Sequence, residues 1–119
     1  MDIQLHPGRH QVNLEGYGDG YFKISGKKIL PPILLFPTKY IQNGKNLEKI
    51  RTQIEKYSKK HTIDLIIYGN TNGLFLPDVR VQDCLKSLGI PLEIMNTEAA
   101  CRTWSVLIGE GRSVCAYIV

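Results

Sequence analysis

Three short polar stretches hold most of the side chains in this sequence that could grip a ligand: Gly69-Asn70-Thr71-Asn72-Gly73, Asn96-Thr97-Glu98 and Glu110-Gly111-Arg112. The first two each follow an apolar run that reads as a strand, and the second opens onto a helical pattern. Loops at the carboxyl ends of parallel strands lie side by side and enclose a crevice, where helix N-termini present free N–H groups to anions. Gly69, Asn70, Thr71, Thr97, Glu98, Glu110 and Arg112 are therefore the residues expected to line a crevice for a small molecule or anion. The chemistry on offer is hydrogen bonding and charge, with an arginine fork suited to carboxylates. The same residues also fit a plainer role. Asp78 and Glu98 put negative charge at helix starts, as capping and dipole compensation require, and Glu110 with Arg112 reads as a clamp across a turn.

Other chemistries find no footing. Gly16-Tyr17-Gly18-Asp19-Gly20 superficially resembles a phosphate loop, but it lies between two strand patterns, whereas a dinucleotide fingerprint needs a strand before and a helix after. There is no G-x-x-x-x-G-K-[ST] run, and Ser105 sits inside a helical pattern without the G-x-S-x-G of a nucleophile elbow. Cys84, Cys101 and Cys115 are too widely spaced for a zinc site and read as small buried hydrophobes. His6, His10 and His61 are grouped with neither carboxylates nor thiols. No metal and no cofactor is expected, and catalysis is the weaker expectation.

Charge is distributed unevenly. Residues 1–60 carry eleven basic and five acidic side chains, against four and six in residues 61–119. Lys49, Arg51, Lys56, Lys59 and Lys60 crowd one helical segment, which reads either as a solvated face or as a patch for nucleic acid or an anionic membrane. The segment has few aromatic residues on which bases could stack, so nucleic acid ranks last among partners. At 119 residues, with 43% hydrophobic and 22% charged residues, the chain has the composition of one globular domain, residues 1–119. Its longest apolar run, Ile29 to Phe36, is broken by Pro31 and Pro32 and is too short to span a bilayer. The opening residues, Met1 to Pro7, lack the pattern of a secretory or transit leader, so the expected location is cytoplasmic.

The positioning elements follow from periodicity. Gln11 to Leu14 and Tyr21 to Ile24 read as strands flanking a flexible Gly16–Gly20 turn, and a Gly26-Lys27-Lys28 turn leads to Ile29-Leu30 and then to the buried run Ile33–Phe36. Leu47, Ile50, Ile54 and Tyr57 recur at helical spacing behind Asn46, a good cap. Ile63–Tyr68 is a buried strand. Pro77 opens a second helix carrying Val81, Cys84, Leu85 and Leu88 and ending at Gly89, Leu92–Met95 is a short strand, and Thr97 caps a third helix carrying Ala100, Thr103, Trp104, Leu107 and Ile108. Ser113–Val119 closes the chain as a strand that must be tied into a sheet. The predicted fold class is α/β: a three-layer domain whose mixed central sheet combines N-terminal antiparallel hairpins with an α-β-α-β-α-β second part.

The stretch from Met95 to Val114 resembles the Mth-domain family, whose biochemical activity is unknown. The family's Met-x-Thr, Ala, aromatic, Leu and Glu-Gly/Asp-Arg-Val pattern matches Met95, Thr97, Ala100, Trp104, Leu107, Glu110, Arg112 and Val114. Tyr17-Gly18-x-Gly20-x-Phe22-x-Ile24, Pro37 and Ile67-x-Gly69 agree as well. The chain departs from the pattern at Gly69-Asn70-Thr71, where the family reads Gly-Thr-Gly, at Ser105, where it has Asn, and near Tyr40, where it has Trp. The resemblance implies a compact three-layer α/β fold and no established reaction. Family members include mitochondrial respiratory complex I assembly factor 3 and the adipogenesis-associated Mth-domain protein. It thereby implies a non-enzymatic protein-interaction or assembly role, with a respiratory-complex subunit or assembly factor as the kind of partner. A small-molecule or anion-binding enzyme is the alternative, and an anion-binding helix 46–60 the third reading. Open strand edges leave homo-oligomerisation available.

Overall fold

The computed structural model describes residues 11–42, 46–71 and 77–119. Asn72 and Gly73 of the first polar loop, His6, His10 and the Met1–Pro7 opening lie outside the described residues. The chain order is β1 (Leu14–Gly18), β2 (Tyr21–Ile24), β3 (Lys27–Ile29), β4 (Ile33–Leu35), β5 (Tyr40–Ile41), α1 (Leu47–Ser58), β6 (Leu65–Asn70), α2 (Val79–Lys86), β7 (Leu92–Asn96), α3 (Thr97–Gly109) and β8 (Val114–Ile118). The strands form two sheets. One is a three-stranded antiparallel sheet, β1-β2-β3, and the other is a mixed five-stranded sheet in the order β5-β4-β8-β6-β7.

The hairpins differ from expectation in where they bend. Gly16 and Gly18 belong to β1, and the turn is confined to Asp19 and Gly20, with φ of 52° and 81°. Ser25 and Gly26 repeat the arrangement with φ of 48° and 81°. Positive φ at both central residues is what the tightest two-residue hairpin requires, and Asp-Gly and Ser-Gly supply it cheaply. Lys27 and Lys28 consequently sit in strand β3, not in a turn.

The last strand is the centre of the large sheet. β8 pairs antiparallel with β4 (Ile33 opposite Ile118) and parallel with β6 (Leu65 opposite Val114, Gly69 opposite Ile118). Because successive strand residues point to opposite faces, the two faces fill different layers. Ile33, Leu35, Ile67, Ala116 and Ile118 pack with α3 and with the inner residues of the small sheet, Phe22, Ile24 and Ile29. Leu34, Ile66, Tyr68, Cys115 and Tyr117 pack with Ile50, Ile54 and Tyr57 of α1 and with Val81 and Leu85 of α2. Three layers result, with α3 and the small sheet on one side and α1 and α2 on the other.

Helix starts are set by short polar side chains. The Asn46 carboxamide accepts the Lys49 N–H at 3.1 Å, the Asp78 carboxylate accepts the Arg80 N–H at 2.9 Å, and the Asn96 carboxamide accepts the Ala99 N–H at 2.8 Å. Asn96, not Thr97, is thus the cap of α3, and Pro77 precedes the cap of α2 where the first helical turn was expected to hold it. At the other end of α3 the Gly111 N–H donates to the Ile108 carbonyl and the Arg112 N–H to the Leu107 carbonyl, with Gly111 at φ 83°. That is the paired backbone closure that favours glycine after a helix.

Helix α3 meets the central sheet very closely. A Cβ placed on Gly69 would lie 2.6 Å from the Ala100 Cβ and 3.3 Å from two Ile118 carbons. Trp104, 1% exposed, donates its indole N–H to the Val114 carbonyl at 2.9 Å. The chain end is tied down by the Val119 N–H, which donates to the Gly69 carbonyl at 2.9 Å. A Gly69→Ala substitution should therefore push α3 off the sheet and cost about 1–3 kcal/mol. Adding Ala100→Gly should return part of that loss despite the poor helix propensity of glycine. Urea denaturation of both variants checks this, and equal stability of Gly69→Ala and the unsubstituted chain would contradict the close packing.

Candidate functional site

The predicted crevice divides in two. β6 and β7 run parallel with Asn70 opposite Asn96, and Ile118 of β8 lies opposite Gly69, so the three carboxyl ends do converge. Thr71, Thr97 and Glu98 stand there with Asn96 and Tyr17 around a hollow of about 310 Å³. Asn70 is buried, Thr97 is 4% exposed and its hydroxyl lies 3.4 Å from the Val119 carbonyl as donor, and Gly69 is covered by Ala100. Glu110 and Arg112 are elsewhere. Both lie between the end of α3 and the start of β8, about 20 Å along the helix from Asn96. A parallel strand places its start and its end on opposite rims of the sheet, so no crevice can contain both groups.

Glu110 and Arg112 also form no clamp. Both are exposed, and the ion pairs among the described residues are Arg51–Glu55 at 3.7 Å and Arg80–Asp78 at 3.6 Å. The turn is held by the backbone bonds around Gly111 instead. Asp78 behaves as a cap, its carboxyl held below the ordinary aspartate range chiefly by the Arg80 backbone N–H. The hollow offers an anion little, because Asn96 already accepts the Ala99 N–H and Glu98 supplies a negative charge.

The basic segment divides as well. Lys49, Arg51, Lys56, Lys59 and Lys60 are all exposed. At about 100° per residue Lys49 and Lys56 share one flank of α1, whereas Arg51 is about 160° away from Lys49. Arg51 pairs with Glu55 and lies close enough to Cys84 of α2 to act on its thiol electrostatically. Lys59 and Lys60 follow the helix in a turn.

A larger groove lies where sequence reasoning placed only a flexible turn. Leu14, Glu15, Gly16 and Tyr17 of β1 form one wall, and Glu98, Arg102, Ser105 and Val106 of α3 form the other, with Cys101 between them, around about 380 Å³. Tyr17 and Glu98 also line the smaller hollow, so the two run on from each other. Among the described residues β1 is an outer strand of its sheet, paired with β2 alone. Val106 is 59% exposed, an apolar side chain off the buried stripe of its helix, and this was the one signal of the groove visible in the residues themselves. Glu15 is the irregular residue of β1, and its carboxylate accepts the Gly26 N–H at 3.0 Å, tying the two hairpins together.

The thiols are not poised to react. Burial, with some help from the Glu98 carboxylate, pushes Cys101 up to about 12, burial alone pushes Cys115 well above the ordinary thiol range, and burial raises Cys84. Among the described residues no group of three or more His, Cys, Asp or Glu side chains is placed to hold a metal. With its thiol pushed up by burial, Cys101 carries little thiolate at pH 8, so an aromatic disulfide reagent should leave Cys101 and Cys115 untouched until the protein is unfolded. Fast modification of all three thiols in the native protein would contradict this.

The same burial acts on stability. Tyr117 is pushed up to about 12, mainly by burial. Unfolded thiols and phenols start from 9.0 and 10.0, so above pH 9 the unfolded chain releases protons that the folded chain keeps. Stability from these groups is whole below pH 9 and is lost as pH climbs toward 12. The urea midpoint should be level from pH 7 to 8.5 and fall above 9, and a midpoint still level at pH 11 would refute it.

Comparison with known proteins agrees with this architecture. The model of a family described as a protein of unknown function (DUF498/DUF598) matches residues 14–119. The chain is 26% identical over 112 residues to NADH dehydrogenase (ubiquinone) 1 alpha subcomplex assembly factor 3 of Rattus norvegicus, and 25% identical over 112 residues to that of Mus musculus. Each match takes in 91% of this chain but 60% of the relative, so the chain spans less than two thirds of the length of these proteins. Among solved structures, an outer membrane protein from Bartonella henselae superposes with a TM-score of 0.71 at 24% identity, covering 94% of this chain and 95% of that one. A Mth938-like domain from Bordetella pertussis superposes with a TM-score of 0.67 at 18% identity, covering 100% and 92%. At these identities the likeness concerns the fold. Among the described residues no helix is long and apolar enough to cross a membrane.

Proposed function

This chain belongs to the DUF498/DUF598 family of proteins of unknown function, and on that premise we propose that it is a non-enzymatic protein-interaction module of the assembly-factor kind, acting as one unit over residues 1–119. The observation that carries the proposal is the groove between β1 and α3. A strand paired on one side only offers backbone donors and acceptors to an added strand, and an adjoining apolar pocket selects a side chain. Here β1 provides the open edge and Val106 with Leu14 the apolar lining. The rodent relatives are named as assembly factors for NADH dehydrogenase, and a respiratory-complex subunit or a fellow assembly factor is the corresponding kind of partner.

A small-molecule reading draws on the hollow where the three parallel strands end, beside Thr71, Thr97 and Glu98. The groove reading is the stronger because Glu98 sets a negative charge at that helix start and Asn96 already caps the Ala99 N–H. The proposal is tested by placing a photo-crosslinking phenylalanine at position 106 and, as a control, at position 79, where Val79 on α2 is 62% exposed. Irradiated in native extract, position 106 should give one or a few discrete protein adducts that position 79 does not. An adduct of twice the chain's mass would identify a second copy as that protein. Identical patterns at both positions, or no protein adduct at 106, would overturn the proposal.

A further inference from the structure

The outer face of the three-stranded sheet carries a charge arrangement that the fold itself leaves unbalanced. Lys23 on β2 stands directly opposite Lys28 on β3. Facing like charges destabilise a sheet, and among the described residues neither lysine has a carboxylate within ion-pair distance. Lys28 instead sits with its ammonium 4.6 Å above the centre of the Tyr21 ring. The carboxylate of Glu15, on the neighbouring strand, accepts the Gly26 N–H. Both lysines are exposed, whereas Phe22, Ile24 and Ile29 on the other face are buried.

Beside the lysines the face is open and partly apolar. Gly16 lies opposite Lys23 and Gly18 opposite Tyr21, and a Cβ added to either glycine would meet nothing within 4 Å. Leu30, the residue after β3, is 58% exposed, one of the large apolar side chains that the chain leaves in water. It follows the strand two residues after Lys28. A pair of unneutralised cations, an aromatic ring, an exposed leucine and a bare glycine floor together have the make-up of a protein contact, with an apolar centre and a charged rim.

We propose that this face docks an acidic segment of a protein partner, its carboxylates lodged between Lys23 and Lys28 and an apolar side chain laid against Leu30. The site extends the protein-interaction reading to a second surface, on the outer side of the small sheet and apart from the β1–α3 groove. Nucleic acid is the poorer occupant. Two phosphate contacts would release only about two counterions, the Tyr21 ring is already covered by an ammonium, and a phosphate backbone makes no use of Leu30.

The test uses the full chain and a fluorescein-labelled peptide repeating Glu-Leu-Glu-Gly, with a Lys-Leu-Lys-Gly peptide and a single-stranded oligothymidylate as comparators. Fluorescence anisotropy at low salt should show the acidic peptide binding, with affinity falling about tenfold in the Lys23→Glu, Lys28→Glu double variant, from two lost pairs and two new repulsions. The reversed variant should take up the basic peptide instead, and Leu30→Ser should weaken the acidic peptide. Circular dichroism checks that the exposed substitutions leave the fold intact. Val106→Asp should leave acidic-peptide binding unchanged, and the position-106 crosslink should survive the lysine reversal, so failure at one surface is separable from failure at the other. Absence of acidic-peptide binding, binding indifferent to the lysine reversal, or oligothymidylate binding tighter than that of the peptide would overturn the proposal.

Discussion

The seating of helix α3 on the central sheet governs the rest of this structure. Gly69 has no side chain, Ala100 has the smallest one, and the space between them accepts nothing larger. That contact brings the helix low enough for Trp104 to reach the Val114 carbonyl, giving a buried indole N–H the partner whose loss would cost about 1–3 kcal/mol. The strand to which that carbonyl belongs, Val114–Ile118, is the middle one of five and so completes the core. The small sheet then packs against the same side as α3, and its outer strand β1 lies beside the helix with a groove between them.

Both candidate surfaces descend from this arrangement. The groove exists because β1 and α3 are held side by side by the apolar layer beneath them, to which Phe22, Ile24 and Trp104 all contribute. The outer face of the small sheet exists because its inner face is fully used in that layer, which leaves Tyr21, Lys23 and Lys28 on the solvent side. The rim formed by the ends of β6, β7 and β8 has the geometry of many α/β ligand sites, yet its helix dipole is spent on the helix's own cap and on Glu98.

Much of the fold was legible in the residues. Ile50, Ile54 and Tyr57 at helical spacing, the unbroken apolar run before Gly69 and the Trp104 stripe identified helices and strands with little ambiguity, and boundaries moved by a few residues where capping side chains decided them. Asn96 displaced Thr97 as cap because a carboxamide reaches the third helical N–H, while the Thr97 hydroxyl turns to the Val119 carbonyl. The two-residue strand β5 was invisible, because Tyr40-Ile41 is too short to carry a period. The candidate site was legible only in half. Thr71, Thr97 and Glu98 line one hollow, but which rim Glu110 and Arg112 occupy depends on the direction of β8, and the groove depends on a sheet and a helix about eighty residues apart in sequence. No local signal encodes the first, and Val106, an apolar residue off its helix's buried stripe, is the one trace of the second.

The most direct measurement is native-state amide hydrogen exchange, resolved by residue, in low concentrations of denaturant. If α3 is seated on β6 and β8 as one packed unit, the amides of Trp104, Ile108, Ala116 and Ile67 will open together, at the free energy of global unfolding. Exchange of the α3 amides at a much lower free energy, with β6 and β8 still protected, would show that the helix rides loosely on the sheet and would contradict the structural basis of the groove.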